Sequence, residues 1–176
     1  ASSALAQPPQ KRNEFFVGVG DASLMFTMAD LATTIGTLGI VSYDDAEGGI
    51  QVVGGYQRRL NGWASLGVTA SWASSRRTVR VLGEDAGEAE RRMTTVMADA
   101  RAHWLRRPGV ELYSGLALGL SNWTDQWEEA DEDDTDSTLG FHLIPVGIRV
   151  GRDVGVFVET GIGWHNLLKA GLSARW

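Results

Sequence analysis

Eight charged residues fall on the polar positions of alternating segments, and they are the side chains best placed to do chemistry. They are Arg59, Asp99, Arg101, Glu111, Arg149, Glu159, Lys169 and Arg175. Charges taken out of water are costly unless they pair, so a shared polar face carrying both signs predicts ion pairs. The alternatives are a salt-bridge network that fills an interior and a path for protons or ions. The residue types favour the network.

The three histidines do not form a recognisable catalytic or metal-binding motif. His103 and His165 fall on the polar face, whereas His142 is expected to point outward near the end of its segment. No nucleophile–base pair, metal-ligand cluster or phosphate-binding loop accompanies them. We therefore predict no catalytic residues, no cofactor and no metal.

Two connecting segments have the composition of contact surfaces. The stretch Asn122–Asp136 is acidic and contains Trp123 and Trp127, which suits a binding surface or a weak divalent-cation site. The stretch Asp21–Gly36 is apolar at helical spacing and predicts a short amphipathic helix. Its candidate partner contacts are Leu24, Met25, Phe26, Met28 and Leu31.

Strict period-two alternation predicts eight strands to carry these residues. The predicted strands are Glu14–Gly20, Ile50–Leu60, Trp63–Ser75, Met93–Leu105, Val110–Ser121, Thr138–Val150, Val154–His165 and Leu168–Trp176. Asn61-Gly62 and Arg106–Gly109 read as tight turns. Long connections are expected at Asp21–Gly49, Arg76–Arg92 and Asn122–Ser137. An even number of strands with alternating short and long connections predicts an all-β, eight-stranded antiparallel up-and-down transmembrane β-barrel.

Composition agrees with a barrel in a bacterial envelope. No run of apolar residues is long enough for a transmembrane helix, the 22 glycines suit a crowded interior, and there are no cysteines. A net charge of −6 argues against a nucleic-acid partner. Trp63, Trp72, Trp104, Trp164 and Trp176 are expected to form an aromatic girdle. A soluble lipocalin-like barrel or β-sandwich is the alternative fold, since it also alternates.

The first residues predict export. Ala4-Leu5-Ala6 before Gln7 resembles a signal-peptidase site, so residues 1–13 are expected to be a flexible periplasmic leader and residues 14–176 the barrel. The mature chain would begin at Ala1 or at Gln7. With the N-terminus in the periplasm, the three long loops would lie outside the cell.

Four segments of the chain carry a family resemblance. Ala100–Gly119, Tyr56–Gly67 and Val156–Gly163 resemble hairpins of small outer-membrane β-barrel proteins of Bacteroidota, in the OmpA/OmpX-like superfamily. Lys169–Trp176 is similar to that family's closing strand, although Phe is commoner than Trp at its end. The resemblance implies an outer-membrane location and contact with lipid and lipopolysaccharide. It carries no catalytic residues.

The function expected from these features is a non-enzymatic structural or accessory subunit of a larger outer-membrane complex. Some small barrels of the phylum serve nutrient-uptake or barrel-assembly machines. Two alternatives remain open. One is a surface binding or adhesion barrel that uses the acidic loop, and the other is an outer-membrane lipid-modifying enzyme that uses His142.

Overall fold

The described part of the chain forms ten antiparallel strands in one sheet. The computed structural model describes residues 11–21, 35, 37, 41–44, 49–81, 84–127 and 134–176. The strands are β1 (Asn13–Asp21), β2 (Val41–Asp44), β3 (Ile50–Arg59), β4 (Ala64–Val81), β5 (Glu84–Arg107), β6 (Val110–Trp127), β7 (Asp134–Gly151), β8 (Val154–Thr160), β9 (Ile162–Gly163) and β10 (Leu168–Arg175). The predicted helix within Asp21–Gly36 lies almost wholly outside the described residues.

Eight of these strands close into a barrel. The neighbours run β1–β3–β4–β5–β6–β7–β8–β10, and β10 returns to β1 with Phe15 opposite Ala174. The short β2 adds to β4, and β9 adds to β7 beyond the end of β8. Every strand of the wall therefore has a partner on both sides over the common part of the barrel, so the closed wall leaves no edge there.

Short turns join the strands at one end of the barrel, and their residues explain why. The side chain of Asn61 accepts hydrogen bonds from the backbone N–H groups of Trp63 and Ala64, at 2.9 and 2.8 Å. Gly109 has φ of +86°, a conformation that favours glycine. The first and last described residues lie at this same end, where the backbones of Asn13 and Trp176 bond to each other.

Strands β4 to β7 are longer than the sequence predicts. Each of β4, β6 and β7 has 18 residues and β5 has 24, whereas β1 has nine and β10 has eight. The strands therefore include most of the residues that were predicted to form the loops Arg76–Arg92 and Asn122–Ser137. We call this extension, residues 74–81, 84–94, 122–127 and 134–138, the projecting wall. Of the predicted strand Val154–His165, only Val154–Thr160 and Ile162–Gly163 are extended.

The apolar face points outward around the whole barrel. On β6 the outward positions run from Leu112 to Leu120 and then become Asn122 and Thr124. Leu118 and Leu120 are both 57% exposed. Nine residues of tilted strand span roughly 23 Å. This exposed band, which we call the apolar belt, has the height expected of a transmembrane barrel.

The alternation of β7 inverts at Pro145, which corrects two sequence-based placements. Between the pairs Tyr113–Gly147 and Gly115–Ile144, β7 holds one residue more than β6. This is a β-bulge, a position that tolerates proline because the ladder bond is already missing. On the far side of the bulge the faces exchange. Uninterrupted alternation would put Ile144 on the outward face with Val146, but Ile144 is 2% exposed, and His142, predicted to point outward, is 1% exposed.

Glycines make room for the large side chains in this narrow interior. A methyl group on Gly147 would collide with the ring of Tyr113, and one on Gly171 would collide with the Phe157 ring. Phe16 and Phe157 pack edge to face, with ring centroids 5.7 Å apart. No helix among the described residues is long and apolar enough to cross a membrane.

Candidate functional site: the filled lumen

The lumen near the short turns is filled by two carboxylates held among arginines. Glu111 accepts hydrogen bonds from Arg59 at 2.9 Å and from Arg175 at 2.7 Å. Glu14 lies 2.9 Å from Arg149 and 2.8 Å from Arg175. Arg175 therefore bridges the two carboxylates. These residues come from β1, β3, β6, β7 and β10, so the cluster ties five strands together across the barrel.

A second cluster of charges occupies the middle of the lumen. Glu159 lies 2.5 Å from Lys169 and 3.2 Å from Arg101, and it accepts a hydrogen bond from the Tyr113 hydroxyl at 2.6 Å. Asp99 pairs with Arg101 at 3.4 Å. Since Glu159 and Lys169 are 1% and 2% exposed, these are fully buried ion pairs. They require their partners, because an unpaired charge at this depth is strongly unfavourable.

Aromatic rings and neutral polar groups complete this middle cluster. The guanidinium of Arg101 stands 4.9 Å from the Phe16 ring and 5.1 Å from the Tyr113 ring. Asp99 accepts hydrogen bonds from Thr69 at 2.5 Å and from the side-chain amide of Gln57. The cations are thus covered by π faces, which are favourable neighbours for a desolvated guanidinium.

Toward the projecting wall the lumen becomes less charged and contains two histidines. The rings of His142 and His165 lie 5.0 Å apart and nearly perpendicular. His165 Nδ1 is 3.1 Å from the Ser71 hydroxyl, which also accepts a hydrogen bond from Gln51. Both nitrogens of His142 and the Nε2 of His165 are buried and have no hydrogen-bond partner among the described residues. Within the described residues no cluster of three or more acidic, histidine or cysteine side chains could hold a metal ion.

Aromatic packing closes this end of the lumen. Trp123 and Trp164 stack edge to face at 5.5 Å and cover the fully buried Ala73 and Met93. The guanidinium of Arg91 lies 5.8 Å from the Trp123 ring. Over the described residues, the lumen is therefore filled from the arginine cluster at one end to this tryptophan pair at the other.

The structure brings together all eight charged residues that the sequence selects, in two groups. Arg59, Glu111, Arg149 and Arg175 join near the turns, and Asp99, Arg101, Glu159 and Lys169 join in the middle. Sequence reasoning did not select Glu14 or Tyr113. Both lie on the polar face of alternating strands, so the same pattern contains them.

Four of the five predicted girdle residues are exposed on the outer wall. Trp63, Trp104 and Trp176 lie at the short-turn end and Trp72 nearer the other, each 48% or more exposed. Trp164 differs from the prediction, because it packs against the buried cluster of Ala73 and Met93. Gly163, which ends β9 immediately before Trp164, has φ of +121°, so the alternation of the predicted strand Val154–His165 does not continue to Trp164.

The predicted partner contacts lie mostly beyond the described residues. Leu24, Met25, Phe26, Met28 and Leu31 are not among them. Trp123 contacts Trp164 and contributes to the closure of the lumen, and Trp127 is the last residue of β6.

An exposed ion pair lies outside the lumen, at the short-turn end. Asp153, on the turn after β7, pairs with Lys11 at 2.6 Å. The hydrogen bond from Lys11 and its ammonium charge lower the pKa of Asp153.

Comparisons with known proteins find similarity in backbone only. No protein-family model matches the chain, and no curated protein matches its sequence. The N-terminal β-barrel domain of Pseudomonas aeruginosa OprF is 12% identical, with a TM-score of 0.48, covering 94% of this chain and 98% of that one. Ail, the attachment invasion locus protein of Yersinia pestis, is 13% identical over the same shares, with a TM-score of 0.45.

Proposed function

We propose that this chain is a non-enzymatic β-barrel of the bacterial outer membrane. The observation that supports the proposal most directly is the inversion of polarity across the wall. Leucines, valines and aromatic rings face outward and stay exposed, whereas Arg149, Lys169 and Glu159 are buried inside. In water this arrangement would expose apolar surface around the whole molecule. In a bilayer the same surface is favourable, and the buried ion pairs seal the interior.

The proposed orientation places the short turns in the periplasm and the projecting wall outside the cell. Outward residues beyond the apolar belt are polar, as at Asn122, Thr124 and Ser137. Ser137 and Asn122 also bond to each other at 2.7 Å across the strands. Such residues suit water or headgroups better than hydrocarbon, so the membrane boundary falls just below them.

The role we propose is that of an accessory subunit that docks onto a larger outer-membrane assembly. Among the described residues, Asp134–Gly140 of β7 pairs on one side only, with β6, because β8 and β9 do not extend that far. An open strand edge presents backbone groups that can pair with another chain. Leu139, on this edge, is 78% exposed. Contact with lipopolysaccharide at the same level is part of this proposal.

Photocrosslinking in the native membrane tests the accessory role. A benzophenone amino acid at Leu139 should crosslink to a larger barrel protein that also co-purifies in gentle detergent. The matched control is Val68, which is 52% exposed but lies between two paired strands. Recovery of a lone monomer, with only lipid crosslinked from both positions, would contradict the accessory role.

A surface binding role is the second candidate, because the projecting wall, which includes the described ends of the acidic stretch Asn122–Asp136, would lie above the membrane. In that case the crosslinked partner would be a soluble or host molecule rather than a membrane protein. The enzyme alternative needs His142 to reach a lipid. The buried position of His142 disfavours that route, and unchanged lipid A in cells that express the protein would agree with a non-enzymatic role.

A further inference from the structure

The short-turn end of the barrel carries exposed arginines that form no salt bridge with a described carboxylate, although the charge of Arg152 helps to lower the pKa of the neighbouring Asp153. Arg12, Arg58, Arg107 and Arg152 are exposed, and none of them pairs with a carboxylate among the described residues. We call these four residues the basic rim. Arg12 directly precedes β1, Arg58 lies in β3, Arg107 ends β5 and Arg152 lies in the turn after β7. The four are therefore distributed around the circumference.

The side-chain carboxylates described at this end already have cationic partners. Glu14 and Glu111 point into the lumen, where Arg59, Arg149 and Arg175 hold them. Asp153 is exposed but pairs with Lys11. Since the whole chain has a net charge of −6, the positive charge of this end is offset by carboxylates elsewhere in the sequence, among them Asp134 and Asp136 of the projecting wall.

The basic rim lies where the apolar belt ends. Arg58 follows the outward-facing Tyr56 along β3, and Arg152 precedes the exposed Val154. Arg107 lies beyond Trp104, which is 58% exposed. Exposed tryptophans mark the level of lipid headgroups, so the four guanidiniums would reach the phosphates of the adjacent leaflet.

We propose that the basic rim binds the phosphates of anionic phospholipids in the leaflet next to the short turns. Guanidinium groups recognise phosphate through paired hydrogen bonds. An acidic protein is a less suitable partner, because the arginines surround the barrel at its perimeter instead of gathering in one patch. This inference rests on the proposed membrane location.

Lipid selectivity measured with spin-labelled lipids tests the inference. The full-length chain is reconstituted in phosphatidylcholine with a trace of spin-labelled phosphatidylglycerol or spin-labelled phosphatidylcholine, and the motionally restricted fraction gives the relative association constant of each lipid. The rim variant is R12Q/R58Q/R107Q/R152Q. The matched control, R76Q/R77Q/R80Q/R92Q, removes the same charge from the projecting wall. A difference in gel migration between unboiled and boiled samples verifies that each variant has folded.

We expect the wild type and the control variant to associate more strongly with phosphatidylglycerol than with phosphatidylcholine. In the rim variant this preference should fall at least fivefold, since a single arginine near an anionic surface contributes about a fivefold increase in association. High salt should weaken the preference in the wild type. Equal selectivity in the wild type and the rim variant, or equal loss in both variants, would overturn the inference. If neither lipid is restricted by the wild type, the membrane location itself fails. Suppose instead that an acidic protein co-purifies with the wild type but not with the rim variant, and that the wild type shows no lipid selectivity. That result would overturn the assignment of lipid as the partner.

Discussion

Glu159 pairs with both cations of the middle cluster, Arg101 and Lys169. It faces Lys169, Arg101 and the Tyr113 hydroxyl within 3.2 Å. Removing its charge leaves two buried cations with less compensation, whereas the same change on an exposed ion pair removes little. If the lumen is filled, removing the buried charge should therefore reduce stability much more than removing a charge from an exposed ion pair.

Glu159→Gln should lower the free energy of unfolding by about 3–5 kcal/mol, the range for breaking a buried ion pair. The free energy of unfolding is measured by urea titration in lipid vesicles, in which the folded fraction is read from migration on gels without boiling. Asp153→Asn is the matched control and should change stability little, because its partner Lys11 is exposed. The double variant Glu159→Gln with Lys169→Met should recover part of the loss. Equal effects of Glu159→Gln and Asp153→Asn would contradict a sealed lumen.

Gly147 gives a second residue-scale prediction, on packing instead of charge. An added methyl group would meet the Tyr113 ring, so Gly147→Ala should destabilise the barrel by about 1–3 kcal/mol through overpacking. Gly62→Ala is the control, since nothing lies within 4 Å of an added methyl there. The same urea titration compares them. Equal stability of both variants would show that the interior at Tyr113 is loosely packed.

At the scale of the elements, alternation predicted all eight barrel strands, because each wall strand separates two unlike environments. It did not predict the projecting wall. Beyond the apolar belt the outward positions are polar too, as at Asn122 and Ser137, so the contrast between the two faces weakens while the hydrogen bonds continue. Tight turns were predictable from Asn61-Gly62 and from Gly109, since their conformations depend on local residues.

The positions of His142 and Trp164 were not predictable for a related reason. A single extra residue at Pro145 exchanges the faces of β7, and alternation read through it assigns Ile144 and His142 to the wrong side. Near Trp164 the strand itself ends at Gly163, whose φ is +121°, so alternation no longer decides where the next side chain lies. The ion-pair partners across the lumen also required the structure, because they join strands that are far apart in sequence.

The bulge at Pro145 can be tested by cysteine scanning, because the chain has no cysteine of its own. Single cysteines at Leu143 and Val146 should carry spin labels accessible to oxygen dissolved in lipid. Cysteines at His142 and Ile144 should be protected, since both side chains face the lumen. Uninterrupted alternation predicts instead that positions 142, 144 and 146 behave alike. Similar oxygen accessibility at positions 144 and 146 would therefore contradict the bulge.

For the whole molecule, the decisive property is whether the lumen conducts. An eight-stranded barrel has an interior just wide enough for side chains, and here arginines, carboxylates, aromatic rings and the tryptophan pair occupy it along its described length. Ions would need to displace paired charges that hold one another at 2.5–3.4 Å. Under the proposed outer-membrane location, we expect a lumen filled in this way not to conduct ions.

We expect the purified chain to show no stable single-channel steps in planar bilayers, at any salt concentration that leaves it folded. Glu159→Ala combined with Lys169→Ala should remain non-conducting or show only small, flickering currents, because Arg101, Tyr113 and Phe16 still occupy the middle of the lumen. A known porin reconstituted in parallel verifies the bilayer. Large, stable steps from the wild type would show that the side chains move aside as a unit. The proposal would then change from a closed scaffold to a channel.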